Sequence, residues 1–196
     1  MPSLIARTMN LFTRRTMDKT STDSLLVEAF LNTDLRDFKN ELEQHWPKAT
    51  ANLRLIGGDE LLDELDETLY DVHQTVHVIL KDCIEATVNI EEITRESLTD
   101  VYGEINIANS VFTAGEILQK LDPVLFKEAV QEELEHHEYT ASEDWNSNVV
   151  TPLRELINKY PVLEKPLDAV IEAFKQDLKK TALKLDSKID LDAICA

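Results

Sequence analysis

The sequence predicts an all-α fold, a single-domain bundle of about six to eight helices built around one long central helix near residues 59–93. Three observations carry this expectation. Leu62, Leu65, Leu69, Val72, Val76, Ile79, Cys83, Ala86, Ile90 and Ile93 alternate steps of three and four without a break. Such a 3.5-residue period is the seam of a coiled coil or of a long bundle helix. The chain holds only four glycines, its six prolines fall at segment edges, and no Asn-Gly or Asp-Gly pair offers a hairpin turn. Finally, 43% of the 196 residues are hydrophobic, enough for a core. No run approaches the ~18 apolar residues that a membrane span requires.

Residues 1–19 read as a basic amphipathic arm. Over residues 2–16, Leu4, Ile5, Met9 and Phe12 share one helical face, while Arg7, Asn10 and Arg14 lie across from it. This stretch is free of acids until Asp18. It suits a mitochondrial targeting segment, a membrane-surface or partner-binding arm, or a first helix packed on an acidic body. Arg7, Arg14 and Arg15 are its candidate interaction residues.

Residues 20–188 read as one acidic helical domain. Hydroxyl and carboxylate caps at residues 20–24 precede an apolar run at 25–31. A second helix starts at Thr33 or Asp34, carries Leu35, Phe38, Leu42 and Trp46 at helical spacing, and stops at Pro47. Residues 47–58 read as a connector ending in Gly57 and Gly58. Asp59, Glu60, Asp63 and Glu64 then occupy the first turns of the long helix, where the dipole favours anions. At ~1.5 Å per residue, residues 59–93 reach ~50 Å, enough to span the domain.

Beyond it, Leu98, Val101, Ile105 and Ala108 keep helical phase over residues 97–110, with Gly103 as a weak point. Thr113 and Glu116 form a capping box for a short helix to Leu121. Asp122 and Pro123 open a helix to about Tyr139, with Leu125, Phe126, Ala129, Val130 and Leu134 inward. Ser142 is expected to cap a turn containing Trp145, and Thr151-Pro152 to start a helix ending at Tyr160. Pro166 opens the last long helix, with Leu167, Val170, Ile171, Phe174, Leu178 and Leu185 on one side. Lysines 179, 180, 184 and 188 gather near its end, as the dipole prefers. Residues 189–196 form a tail that Ile189, Leu191 and Ile194 can dock.

The net charge of −18 is unevenly placed. Residues 1–20 hold four cations against Asp18, a surplus of three, and residues 165–196 balance six lysines with six acids. Residues 21–164 therefore carry the whole deficit. Such a surface does not bind nucleic acid directly, because phosphate contacts need basic groups. Two cysteines, Cys83 and Cys195, are too few for a disulfide framework and point to a reducing compartment. The cytoplasm fits, or the mitochondrial matrix if residues 1–16 are a targeting segment. Cys83 falls on the apolar seam as a small hydrophobe, and Cys195 lies in the tail.

Metal chemistry has two candidate constellations. His73 and His77 lie four apart on the long helix, with Asp66 nearly two turns earlier. Glu133 and His136 match the Glu-x-x-His unit of di-iron bundles. A di-iron site needs two such units and two more inward glutamates, and the sequence offers one unit. The structural reading therefore ranks higher: histidines flanking an apolar seam and a solvated acidic face. No nucleophile elbow, phosphate loop or H-E-x-x-H signature occurs. The expectation is thus no catalytic residue and no cofactor.

Six acids at residues 59–67 and seven at 128–144 have no Lys or Arg among them. They support two readings, a helix start with a solubilising face or a DNA-like surface aimed at a basic cleft. Three functions follow in order. First is a non-enzymatic interaction or assembly protein working through protein partners or self-association, with membrane contact through residues 1–16 as a further option. Second is an acidic, DNA-mimic inhibitor of a nucleic-acid-binding protein. Third is a metal-binding bundle with oxidoreductase activity.

Overall fold

The long apolar seam winds into a single rod. The computed structural model describes residues 22–108, 110–185, 189–190 and 194–195. Its elements are α1 (Thr22–Asn32), α2 (Phe38–His45), α3 (Pro47–Tyr102), β1 (Glu104–Ile107), β2 (Ser110–Thr113) and α4 (Ala114–Leu121). There follow α5 (Pro123–Asp144), α6 (Thr151–Lys159) and α7 (Glu164–Leu185). The fold is an all-α single domain built on α3, and none of the described helices is long and apolar enough to cross a membrane. The basic arm, with Arg7, Arg14 and Arg15, lies outside the described residues.

Nine of the ten seam residues are buried, and Ile93 is half-buried. Burial of each Leu, Ile or Val there contributes about 1.5–3 kcal/mol. Near Ile93 the neighbouring Thr94 takes the inward position. A straight helix drifts ~20° per heptad against a 3.5-residue repeat, so after four heptads the apolar stripe has rotated away. Thr94 satisfies its buried hydroxyl by donating to the Ile90 carbonyl at 2.7 Å.

The expected connector at residues 47–58 is instead helix. Pro47 sits in its first turn, and Ala49, Thr50 and Leu53 bury one face against α2. The ladder bends at Gly58, whose φ of 72° and ψ of −162° only glycine adopts readily. Gly103 has nearly the same conformation, φ 75° and ψ −164°, and ends the rod. The straight part, residues 59–102, is thus ~65 Å long.

Of the helix expected over residues 97–110, residues 97–102 form as part of α3, and the stop at Gly103 overturns the rest. Past Gly103 the alternation Ile105-Asn106-Ile107 wins, and β1 pairs antiparallel with β2 in the register Ile105↔Phe112 and Ile107↔Ser110. Ala108 turns the hairpin with a positive φ of 48°. The capping box and the N-cap after it form as expected: Thr113 and Glu116 cap α4 reciprocally, and the Asp122 carboxylate accepts the Leu125 N–H at 3.1 Å.

The expectations for Tyr139, Ser142 and Thr151 require correction. Helix α5 does not end at Tyr139 but continues to Asp144, passes through a π-helical turn at Trp145–Val150, and joins α6. Proline lacks an N–H and crowds the carbonyl four residues back, so a wider turn ahead of Pro152 relieves the conflict. Thr151 is already helical and caps nothing. Its N–H and hydroxyl both reach the Asn146 carbonyl, the hydroxyl at 2.7 Å. The Ser142 carbonyl accepts from the Asn146 amide at 3.0 Å. Leu125, expected inward, is exposed, while Phe126 and Leu134 are buried. Helix α7 starts at Glu164, two residues before Pro166.

Every other described helix packs on α3. Helices α2 and α6 reach its first half, through Lys39–Asp63 and Lys159–Glu64, whereas α4 meets its second half, where Arg95 donates to Gln119. Ile189 and Ile194 are buried as expected, with Cys195 beside them, while Leu191 lies outside the described residues.

Candidate functional site

The histidine pair on α3 is a packing feature in the first instance. His73 points into the bundle and is 3% exposed, and its ring meets that of exposed His77 edge-on at 4.5 Å. Its Nδ1 has no hydrogen-bond partner among the described residues. Burial, then the neighbouring His77 and Arg36, push its pKa down to about 4, while Asp34 opposes them. His73 is therefore neutral at pH 7. Asp66 is engaged elsewhere: its carboxylate accepts the backbone N–H of Lys39 at 2.8 Å, tying down the first turn of α2.

The second constellation does not form as written. Glu133 lies 3.8 Å from His137, one turn on, and not on His136, which is exposed. Among the described residues no three His, Cys, Asp or Glu side chains gather closely enough to hold a metal ion. His73, His77, Asp66, Glu133 and His136 thus do not converge.

The two acidic clusters differ. In the first, Asp59 meets Arg54 at 2.7 Å, Asp63 meets Lys39 at 2.5 Å, and Glu64 meets Lys159 at 2.7 Å. The first pair lies within α3, and the other two tie α3 to α2 and α6, at modest energy because they are exposed. In the second, none of the seven acids takes a Lys or Arg partner among the described residues. Glu143 accepts from Tyr139, Asp144 from Asn148, and Glu138 from the Asp190 backbone at 2.8 Å. That face of α5 keeps its negative charge.

Both cysteines are buried and outside any disulfide. The Cys83 thiol is pushed up to about 11, first by burial and then by the Asp82, Cys195 and Glu138 charges around it. A thiol held so high is not a nucleophile at neutral pH.

The feature that remains is apolar. Of fifteen large hydrophobic side chains exposed among the described residues, eight lie between Val101 and Leu125. Val101 is 72% exposed, Tyr102 70%, Leu121 81% and Val124 66%. Ile105 and Ile107 add the outer face of the hairpin, with half-buried Phe112 beside them in register. All come from the last turn of α3, the hairpin and the α4–α5 corner. Asp100, Glu104, Glu116 and Asp122 are interspersed among them. A two-stranded hairpin is marginal alone, and this one leaves its strands largely open to solvent.

No protein-family model, no curated protein and no solved structure matches the chain.

Sequence reasoning missed this end of the molecule. Val101 and Ile105 fit the helical phase, so they read as core. The signals against that were Gly103 and the two-residue alternation after it, too short to outweigh the long helical pattern before it.

Proposed function

We propose that the chain is a non-enzymatic interaction protein that binds a partner protein through the apolar end formed by α3, the hairpin and the α4–α5 corner. The exposure of eight large hydrophobic side chains within residues 101–125 carries this reading. Monomeric surfaces seldom concentrate apolar side chains in this way without a contact to make. The acids between them favour a partner that is aliphatic at its centre and basic at its rim. A second copy of this acidic chain would meet like charge, so a different protein fits better.

The test is affinity capture from the native lysate with the full chain and with an Ile107→Glu, Leu121→Glu variant. Both positions are solvent-facing, so circular dichroism should be unchanged. A partner retained by the wild type, lost by the variant and weakened by salt supports the reading. Capture that is identical for both, or none at all, ends it. Light scattering on the same samples separates self-association from a foreign partner.

The uncompensated acids of α5 support a second reading, an acidic inhibitor of a nucleic-acid-binding protein. It requires the captured partner to be a basic DNA- or RNA-binding protein that nucleic acid displaces.

A further inference from the structure

The hairpin at the apolar end leaves one of its edges open. In an antiparallel hairpin closed by a two-residue turn, the closing pair exchanges hydrogen bonds, and so does every second pair beyond it. Here Ile107 and Ser110 close the turn, so Ile107–Ser110 and Ile105–Phe112 are the bonded pairs. Thr113 agrees with that count: its N–H is free of the ladder and donates to the Glu116 carboxylate at 3.2 Å. The N–H and C=O groups of Glu104 and Asn106 therefore point away from β2. Among the described residues, nothing bonds to them from the far side. Helix α4 backs β2, whereas all four residues of β1 are exposed.

We propose that an extended segment of the partner adds to β1 as a third, antiparallel strand along this open edge. The inference rests on the reading of the apolar end as a partner surface and gives its mode of contact. Glu104 and Asn106 together offer two donors and two acceptors in line, which an extended backbone matches. A third strand also supplies what a lone hairpin lacks for stability. Side chains of the added strand alternate between the two faces of the sheet. On one face they meet Ile105 and Ile107 and are aliphatic; on the other they meet Glu104 and Asn106. There Lys or Arg fits, beside Glu104 in a chain of net charge −18.

The test is an amide NMR titration of the full chain with the capped peptide Thr-Ile-Arg-Val-Arg-Val-Thr. Binding is expected to saturate with a Kd below about 1 mM and to shift the Glu104 and Asn106 amides most. N-methylation of both arginines removes the N–H groups that face the edge, and should weaken binding about tenfold or more. N-methylation of both valines, whose N–H groups face away, should leave it within about threefold. Asn106→Pro deletes an outward N–H that the hairpin does not use, so it too should bind about tenfold more weakly, while Asn106→Ala binds as the wild type does. The Ile105–Phe112 cross-strand contact should persist in the proline variant; if it does not, the methylated peptides decide. No saturation up to about 5 mM overturns the proposal, as does equal binding of the two methylated peptides or of a proline variant with an intact hairpin. A dimer of the free chain that Asn106→Pro dissolves would give the edge to a second copy and overturn it as well. These results leave the apolar-end reading standing, because that reading falls only on the capture experiment with Ile107→Glu, Leu121→Glu.

Discussion

Acidification should weaken this bundle through His73, and the size of the effect follows from its burial. In the folded chain the imidazole is held neutral down to about pH 4, whereas in the unfolded chain it takes a proton near its ordinary value of 6.5. Between those values the unfolded state binds more protons, so stability falls as pH falls. At about 1.4 kcal/mol per pH unit, the loss reaches roughly 3 kcal/mol, complete near pH 4. That is a large share of the 5–15 kcal/mol typical of a domain. The assay is urea unfolding from pH 7.5 to 4, comparing wild type with His73→Leu. Leucine keeps the apolar contact and removes both the titrating ring and its unpartnered Nδ1, so at pH 7 the variant should be at least as stable. The many surface carboxylates titrate in both proteins, and the difference between the two curves isolates His73. That difference should shift by about 3 kcal/mol across the range. A difference that stays flat would refute the reasoning.

Three further outcomes test other parts of the packing. Gly115→Ala should destabilise by about 1–3 kcal/mol in urea, because the new Cβ would sit 2.6 Å from the Arg95 Cα and 2.8 Å from its carbonyl oxygen. Hydrogen exchange should rise first in α4 and in the end of α3 that it covers. Gly58→Ala meets nothing within 4 Å, so its expected loss of about 1–3 kcal/mol arises from the backbone alone. In a Cys195→Ser background, Ellman's reagent should label Cys83 slowly in native protein at pH 7.5, since a thiol near 11 is rarely ionised. Labelling should rise with urea in step with unfolding, and rapid labelling of the folded chain would contradict the burial.

The legible parts of this fold are those in which many residues repeat one message. The α3 seam keeps its spacing through ten residues, and the caps at Thr113 and Asp122 place a specific acceptor at a specific offset. The errors come where one residue overrides a local pattern through a contact far away or a backbone conformation. Gly57 and Gly58 read as a linker, yet only Gly58 bends, and helix continues on both sides. Thr151-Pro152 imitates a helix start, but the preceding turn widens to absorb the proline because Trp145 and Val149 are held in the core. The histidines were singled out by spacing alone. Spacing does not say that the bundle would close over His73, leave His77 in solvent, and commit Asp66 to the α2 backbone. The apolar end was illegible for a simpler reason: a sequence pattern marks which side chains want burial, not whether anything is left to bury them.

The bundle is closed by pairing its first described helix with its last. Helix α1 lies against α7, and Asp23 meets Lys165 across 142 residues at 2.6 Å. During synthesis at about 5–20 residues per second, α1 therefore leaves the ribosome roughly 7–30 s before its main neighbour. Through that interval Leu26 and Phe30, fully enclosed in the finished protein, have only early helices to shelter them. The nascent chain is at its most adhesive then, and a chaperone that recognises short aliphatic-aromatic stretches has its opportunity before translation ends.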